Sequence, residues 1–168
     1  MSAAITRLPP GIDCIIALGS NVGDKPANIA RAVDLLTEAG DVRLVARSRN
    51  FATPPWGKTD QDWFINACIG VATKLSPRVL LERGQEVERR MGRVRAEKWG
   101  PRVIDVDLLL YRGVAVNEPD LVLPHPYMGE RAFVLAPLMD IAPDLRIAGK
   151  GVRELYAGID HSGVQPID

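Results

Sequence analysis

Asp105 and Asp107, two residues apart in RVIDVDLLLY (102–111), have the type and spacing that point most directly to chemistry. On a strand, alternate side chains share a face. Ile104, Val106, Leu108 and Leu110 are therefore expected to form one apolar face, with the two carboxylates projecting together from the other. Strand rise would set the two aspartate Cα atoms about 6.6 Å apart. Carboxylates that close repel each other unless positive charge lies between them, and a divalent ion with oxygen ligands supplies it. The segment leading into the pair is basic. Between residues 82 and 102, seven cations (Arg83, Arg89, Arg90, Arg93, Arg95, Lys98 and Arg102) face four acids (Glu82, Glu86, Glu88 and Glu97). Metal-holding carboxylates beside guanidinium groups make a donor set for a phosphate chain, so the pattern points to phosphoryl-type transfer. The plainer alternative is a solvated strand face following a helix end whose cations complement the dipole.

The elements that must position these residues follow from periodicity. IDCIIAL (12–18) is a β-rich apolar run that ends at Gly19-Ser20-Asn21. Pro26 opens a helix carrying Ile29, Ala32, Val33 and Leu36 at helical spacing, and Gly40 closes it. VRLVARSRNF (42–51) alternates and predicts a second strand, and FINACIGVAT (64–73) a third. Ser76-Pro77 starts a second helix through Leu80, Leu81, Val87 and Met91. Residues 103–111 give the fourth strand, and Val114–Val116 suggests an edge hairpin. ERAFVLAPLM (130–139) reads as a helix bent or ended by Pro137, followed by a loop-rich tail with a helical turn near Leu155. The predicted class is α+β: a ferredoxin-like βαββαβ core with a mostly antiparallel sheet, helices on one face, an added edge hairpin and a C-terminal helix. One domain over 1–168 is expected, with its core at about 12–145 and a tail at 146–168.

Composition narrows the function. The 168 residues carry 21 Lys+Arg and 21 Asp+Glu, and this balance argues against a dedicated nucleic-acid binder. Two cysteines, Cys14 and Cys68, lie in apolar runs and read as buried, reduced thiols of a cytoplasmic protein. The N-terminal apolar run is too short to span a membrane. GSNVGDK (19–25) lacks the spacing of a phosphate loop, and no GxGxxG follows a strand, so a nucleotide site would have to be built otherwise.

KWGPRVIDVDLL (98–109) resembles the signature of the 6-hydroxymethyl-7,8-dihydropterin pyrophosphokinase family. So do ALGSNVGD (17–24), FATPPWG (51–57), FINA (64–67), GRVR (92–95), LPHP (123–126), ERAFVLAPL (130–138) and DIAPDL (140–145), in the same order. The resemblance runs from about Ile12 to Leu145. It implies transfer of pyrophosphate from ATP, the co-substrate, to the pterin hydroxymethyl group in folate biosynthesis, giving AMP and the pterin diphosphate. It further implies two Mg²⁺ ions on Asp105 and Asp107 and catalytic roles for Arg93 and Arg95. Gln85, Glu88, Trp99, Arg102, His125 and Arg131 would contact ATP. Thr53, Pro54, Pro55, Trp56, Phe64, Asn66 and Phe133 would hold the pterin, with Phe64 and Phe133 stacking on its ring. His161 matches nothing. The stretch Ala96–Lys98 is one residue shorter than in some relatives, and Pro126 stands where some have an aromatic.

The expected partners are small-molecule substrates alone, without nucleic acid or membrane, and a cytoplasmic monomer is expected, since no long heptad or exposed apolar stripe argues otherwise. The Gly- and Pro-rich loops at 53–62 and 92–102 are expected to be mobile before ligands bind. Two other readings compete. A two-metal nuclease or nucleotidyltransferase would need a third acidic ligand and a basic track. An RNA-binding module on the same frame would need aromatics on its central strands, where 103–111 offers only Tyr111.

Overall fold

The computed structural model describes residues 5–55, 62–92 and 102–167. In chain order its elements are β1 (Ile5–Thr6), β2 (Cys14–Ser20), α1 (Lys25–Thr37), β3 (Val42–Arg47), β4 (Phe51–Thr53), β5 (Phe64–Thr73), α2 (Pro77–Arg90), β6 (Asp105–Tyr111), β7 (Val116–Glu118), β8 (Leu121–Leu123), a 3₁₀ turn (Met128–Glu130), α3 (Ala132–Ile141), β9 (Arg146–Ile147), β10 (Lys150–Gly151), α4 (Val152–Ala157) and β11 (Gln165–Pro166).

The chain is α+β, as expected. β2 lies at the centre, antiparallel to β5 on one side and to β6 on the other; Ala17 pairs with both Cys68 and Asp107. The far edge of β5 carries β4 beside residues 64–66 and β3 beside residues 69–73, both antiparallel. This gives the sheet order β6, β2, β5, then β3 and β4, with α1 and α2 as the crossovers of a βαββαβ unit. Both helices start as their sequences require. The Asp24 carboxylate caps α1 by accepting from the Ala27 N–H, the Ser76 hydroxyl caps α2 by accepting from the Val79 N–H, and a proline sits in each first turn.

The sheet is covered on both faces, which corrects the expectation of helices on one. α1 and α2 bury Ile16, Leu18, Ile69, Val106 and Leu108 against Ile29, Leu36 and Leu80. α3 covers the other face, where Ile15, Cys68, Leu109 and Leu110 meet Val134, Leu135 and Leu138, and α4 packs against α3. The run CIIALGS and the interior of β5 are apolar on both sides, the pattern of a strand with no solvated face.

The expected single face of Ile104, Val106, Leu108 and Leu110 also needs correction. A bulge sets Ile15 opposite Leu110 and Ile16 opposite Leu108, so Leu110 joins Leu109 in the second core. The strand expected over 42–51 is two strands, broken at Ser48–Asn50, where the Ser48 hydroxyl accepts from the Cys68 N–H. Val114 pairs back with Tyr111 in an antiparallel bridge, and the added hairpin itself runs from Val116 to Leu123. Pro137 stands inside α3 without ending it, and the helix runs on to Ile141. The predicted helical turn near Leu155 is α4. Cys14 and Cys68 are buried free thiols, each pushed well above its ordinary pKa by burial first and a nearby aspartate second. Most of each loop expected to be mobile, 56–61 and 93–101, lies outside the described residues, as do Trp56, Arg93, Arg95, the shortened stretch 96–98 and Trp99. Among the described residues no helix is long and apolar enough to cross a membrane.

Candidate active site

On the α3 side of the sheet, Asp105 and Asp107 of β6 pair across from Gly19 and Ala17 of β2. The two small residues keep the sheet surface low beside the carboxylates. A cavity of about 220 Å³ opens there, lined by Ala17, Gly19, Asp105, Asp107 and Leu109 from the sheet. Ten of the residues expected to bind substrates line it: Thr53, Pro54, Phe64, Asn66, Arg102, Asp105, Asp107, His125, Arg131 and Phe133.

Part of this lining suits a flat polar heterocycle. Thr53 and Asn66, both buried, are joined by a 2.6 Å hydrogen bond from the Asn66 amide to the Thr53 hydroxyl. A Cβ on Gly19 would stand 2.7 Å from Asn66 Oδ1, so glycine is what lets that amide lie over β2. Phe64 at the start of β5 and Phe133 in the first turn of α3 supply aromatic faces, both half-buried. α3 is braced against the β3–β4 turn by Arg49, whose backbone N–H and guanidinium donate to Asp140 at 2.9 to 3.0 Å. Burial alone would raise the Asp140 carboxyl, but the Arg49 hydrogen bonds and charge hold it below its ordinary range.

The rest of the lining gathers charge. Arg102 donates to Asp105 Oδ1 at 3.1 Å, and both side chains are largely buried. The Arg131 guanidinium lies 5.1 Å from the centre of the Tyr127 ring and 5.6 Å from that of Phe133. The His125 backbone N–H donates to the Leu109 carbonyl at 2.7 Å, tying the 124–126 segment to β6. Its Nδ1 accepts from the Tyr127 N–H at 3.1 Å, which assigns the proton of the neutral ring to Nε2. Burial, and then the Arg131 cation, lower the pKa of that imidazole below 6.5.

The remaining expected residues lie elsewhere. Pro55 is described but does not line the cavity. Nor do Gln85 and Glu88 on α2; Glu88 is buried, and its carboxylate accepts from the Val106 N–H at 2.9 Å, so it holds the outer edge of β6. The basic end of α2 is directed at surface acids: Arg83 pairs with Asp41, Arg89 with Glu86 and Arg90 with Glu38. His161 stacks on Tyr156, with ring centres 4.3 Å apart. Gly19, expected to end its strand close to the pterin site, lines the cavity; Leu109 was not singled out, and the bulge that turns it inward has no sequence signal here.

The donor set at Asp105 and Asp107 fits Mg²⁺. It offers hard carboxylate oxygens on one rigid strand, beside guanidinium groups for phosphate oxygens and space for water. Among the described residues no cluster of three or more His, Cys, Asp or Glu is placed to hold a metal, so nuclease-type three-acid ligation is not formed there.

A family model described as 7,8-dihydro-6-hydroxymethylpterin-pyrophosphokinase (HPPK) matches residues 15–143. A protein of Methylorubrum extorquens named 2-amino-4-hydroxy-6-hydroxymethyldihydropteridine pyrophosphokinase is 52% identical over 153 residues, 91% of this chain and 97% of its own. The chain belongs to the HPPK family. A Pseudomonas aeruginosa protein of the same name is 40% identical, over 89% of this chain and 93% of its own. A crystal structure of wild-type Plasmodium falciparum HPPK-DHPS with pteroate shares the fold, with a TM-score of 0.68 at 15% identity. It matches 87% of this chain, which spans 42% of that longer one.

Proposed function

We propose that this chain is an ATP-dependent pyrophosphokinase that converts 6-hydroxymethyl-7,8-dihydropterin to its diphosphate and releases AMP in folate biosynthesis. The observation that carries this reading is that one cavity is lined both by Phe64, Phe133, Asn66 and Thr53 and by Asp105, Asp107, Arg102, His125 and Arg131. The first set fits a flat heterocycle, the second a phosphate chain.

In the reaction the pterin hydroxyl oxygen attacks the β-phosphorus of ATP. The bond from the α–β bridging oxygen to the β-phosphorus breaks, and AMP leaves with the electron pair on that oxygen. The hydroxyl proton passes to a base. Asp105 and Asp107 would hold two Mg²⁺ ions, which supply charge neutralisation for the phosphates and make the hydroxyl more acidic. Phe64 and Phe133 would fix the plane of the ring, and the Asn66 amide would read its edge, since a wrong ring would leave a buried amide unpaired. Arg102 and Arg131 would neutralise phosphate oxygens, and His125 would donate to one from Nε2. Arg93, Arg95 and Trp99 would complete the nucleotide side, with Gln85, and Trp56 with Pro55 the pterin side. We assign the whole chain to one catalytic domain working as a cytoplasmic monomer on small molecules, without nucleic acid.

The test is purified protein with ATP, Mg²⁺ and the pterin, assayed for AMP beside Asp107→Ala. AMP should form only with pterin present and fall at least about a hundredfold in the variant, as expected when a metal ligand is lost. Pterin-independent AMP release, or an active Asp107→Ala enzyme, would overturn the assignment.

A further inference from the structure

Asn21 follows β2 directly and is buried, with 3% of its surface exposed. Its backbone N–H donates to the Arg102 carbonyl at 2.9 Å, and its Oδ1 accepts from the Arg102 N–H at 2.7 Å. The side-chain oxygen takes the place that a backbone carbonyl would hold in a regular ladder, so the β2–β6 pairing continues past Gly19 and Asp105. The same amide reaches the other way, Nδ2 donating to the Asp62 carbonyl at 3.2 Å. Arg102 stands three residues before Asp105 and pairs with it, while Asp62 stands two residues before Phe64. One side chain thus joins the lead-in to the phosphate-side strand, 81 residues away in sequence, to the lead-in to the pterin-side strand, 41 residues away.

The turn that carries Asn21 is itself held. Asn28 of α1 donates to the Ser20 hydroxyl at 3.1 Å and to the Val22 carbonyl at 2.8 Å. Lys25 Nζ donates to the Trp63 carbonyl at 2.9 Å, a second tie from α1 to the entry of β5. An amide buried this deeply leaves donor and acceptor groups unsatisfied when it is removed, and the two strand entries then lose their common reference.

We propose that Asn21 is a positioning residue that sets Arg102 and Asp105 against Phe64 and Asn66, so that phosphate chain and pterin are held in register. The role rests on the pyrophosphokinase reading above. Its two arms can be separated. Asn21→Asp keeps an oxygen for the Arg102 N–H but sets a carboxylate oxygen against the Asp62 carbonyl. Asn21→Ala removes both arms.

The experiment measures kcat, both KM values and backbone amide exchange in wild type and the two variants. Asn21→Asp should raise the pterin KM about tenfold while the ATP KM moves less than about threefold; Asn21→Ala should raise both and lower kcat about tenfold. Arg102 amide exchange should accelerate in Asn21→Ala and stay slow in Asn21→Asp. Variants that melt lower but keep wild-type kinetics would overturn the proposal, as would an Asn21→Asp enzyme whose two KM values rise alike. A wild type that forms no AMP would instead overturn the reading of the reaction, while amide exchange would still test the clamp.

Discussion

A neutral imidazole beside a phosphate acts as a hydrogen-bond donor rather than a counter-charge, and the surroundings of His125 favour that form. Burial disfavours the imidazolium most, and Arg131 adds repulsion. The fold therefore disfavours protonation. This residue's contribution to stability is complete above pH 6.5, its ordinary pKa, and is lost as the pH falls from there through the folded-state value. NMR titration of His125 in the free protein should give a midpoint below 6.5. Arg131→Ala should move that midpoint upward, because it removes a cation and leaves most of the burial; an unchanged midpoint would assign the whole shift to desolvation.

At the scale of elements, the docking of α2 on β6 carries the metal-side strand. Gly84 makes the close approach possible: a Cβ there would lie 2.9 Å from Val106 Cγ1, on a β-branched side chain that has few alternative rotamers. One turn later Glu88 accepts from the Val106 N–H. Gly84→Ala should gain about 1 kcal/mol of helix propensity and lose about 1–3 kcal/mol to overpacking. The expected net effect in urea unfolding is a lower midpoint together with reduced turnover. A midpoint at or above wild type would show that Val106 rotates away freely.

These same elements show what sequence makes legible. β5 follows FINACIGVAT residue for residue, and Ser76-Pro77 opens α2 where capping chemistry requires. The shared face of Asp105 and Asp107 came from strand alternation alone. Alternation failed three residues on, because the bulge opposite Ile15 and Ile16 depends on the partner strand. Placing α3 on the second face needed the observation that β2 and β5 have no polar side, a weaker cue than periodicity. The Asn21 contacts to Arg102 and Asp62 were hidden altogether, since no local pattern marks a hydrogen bond across 81 residues.

For the whole molecule, a two-faced sheet gives the cavity a stiff floor. Its walls come from segments far apart in sequence: the end of β4, the start of β5, the 124–126 segment and α3. β2, which runs between β5 and β6 under the cavity, is buried on both faces, so substrate groups would meet side chains on a firmly held strand layer. In the proposed reaction, attack falls on the β-phosphorus rather than the terminal one. The measurement that tests it most directly is a ³¹P NMR spectrum of the products from ATP, Mg²⁺ and 6-hydroxymethyl-7,8-dihydropterin. AMP with a pterin diphosphate, its two phosphorus signals coupled to each other, is the predicted result. ADP with a pterin monophosphate would contradict it.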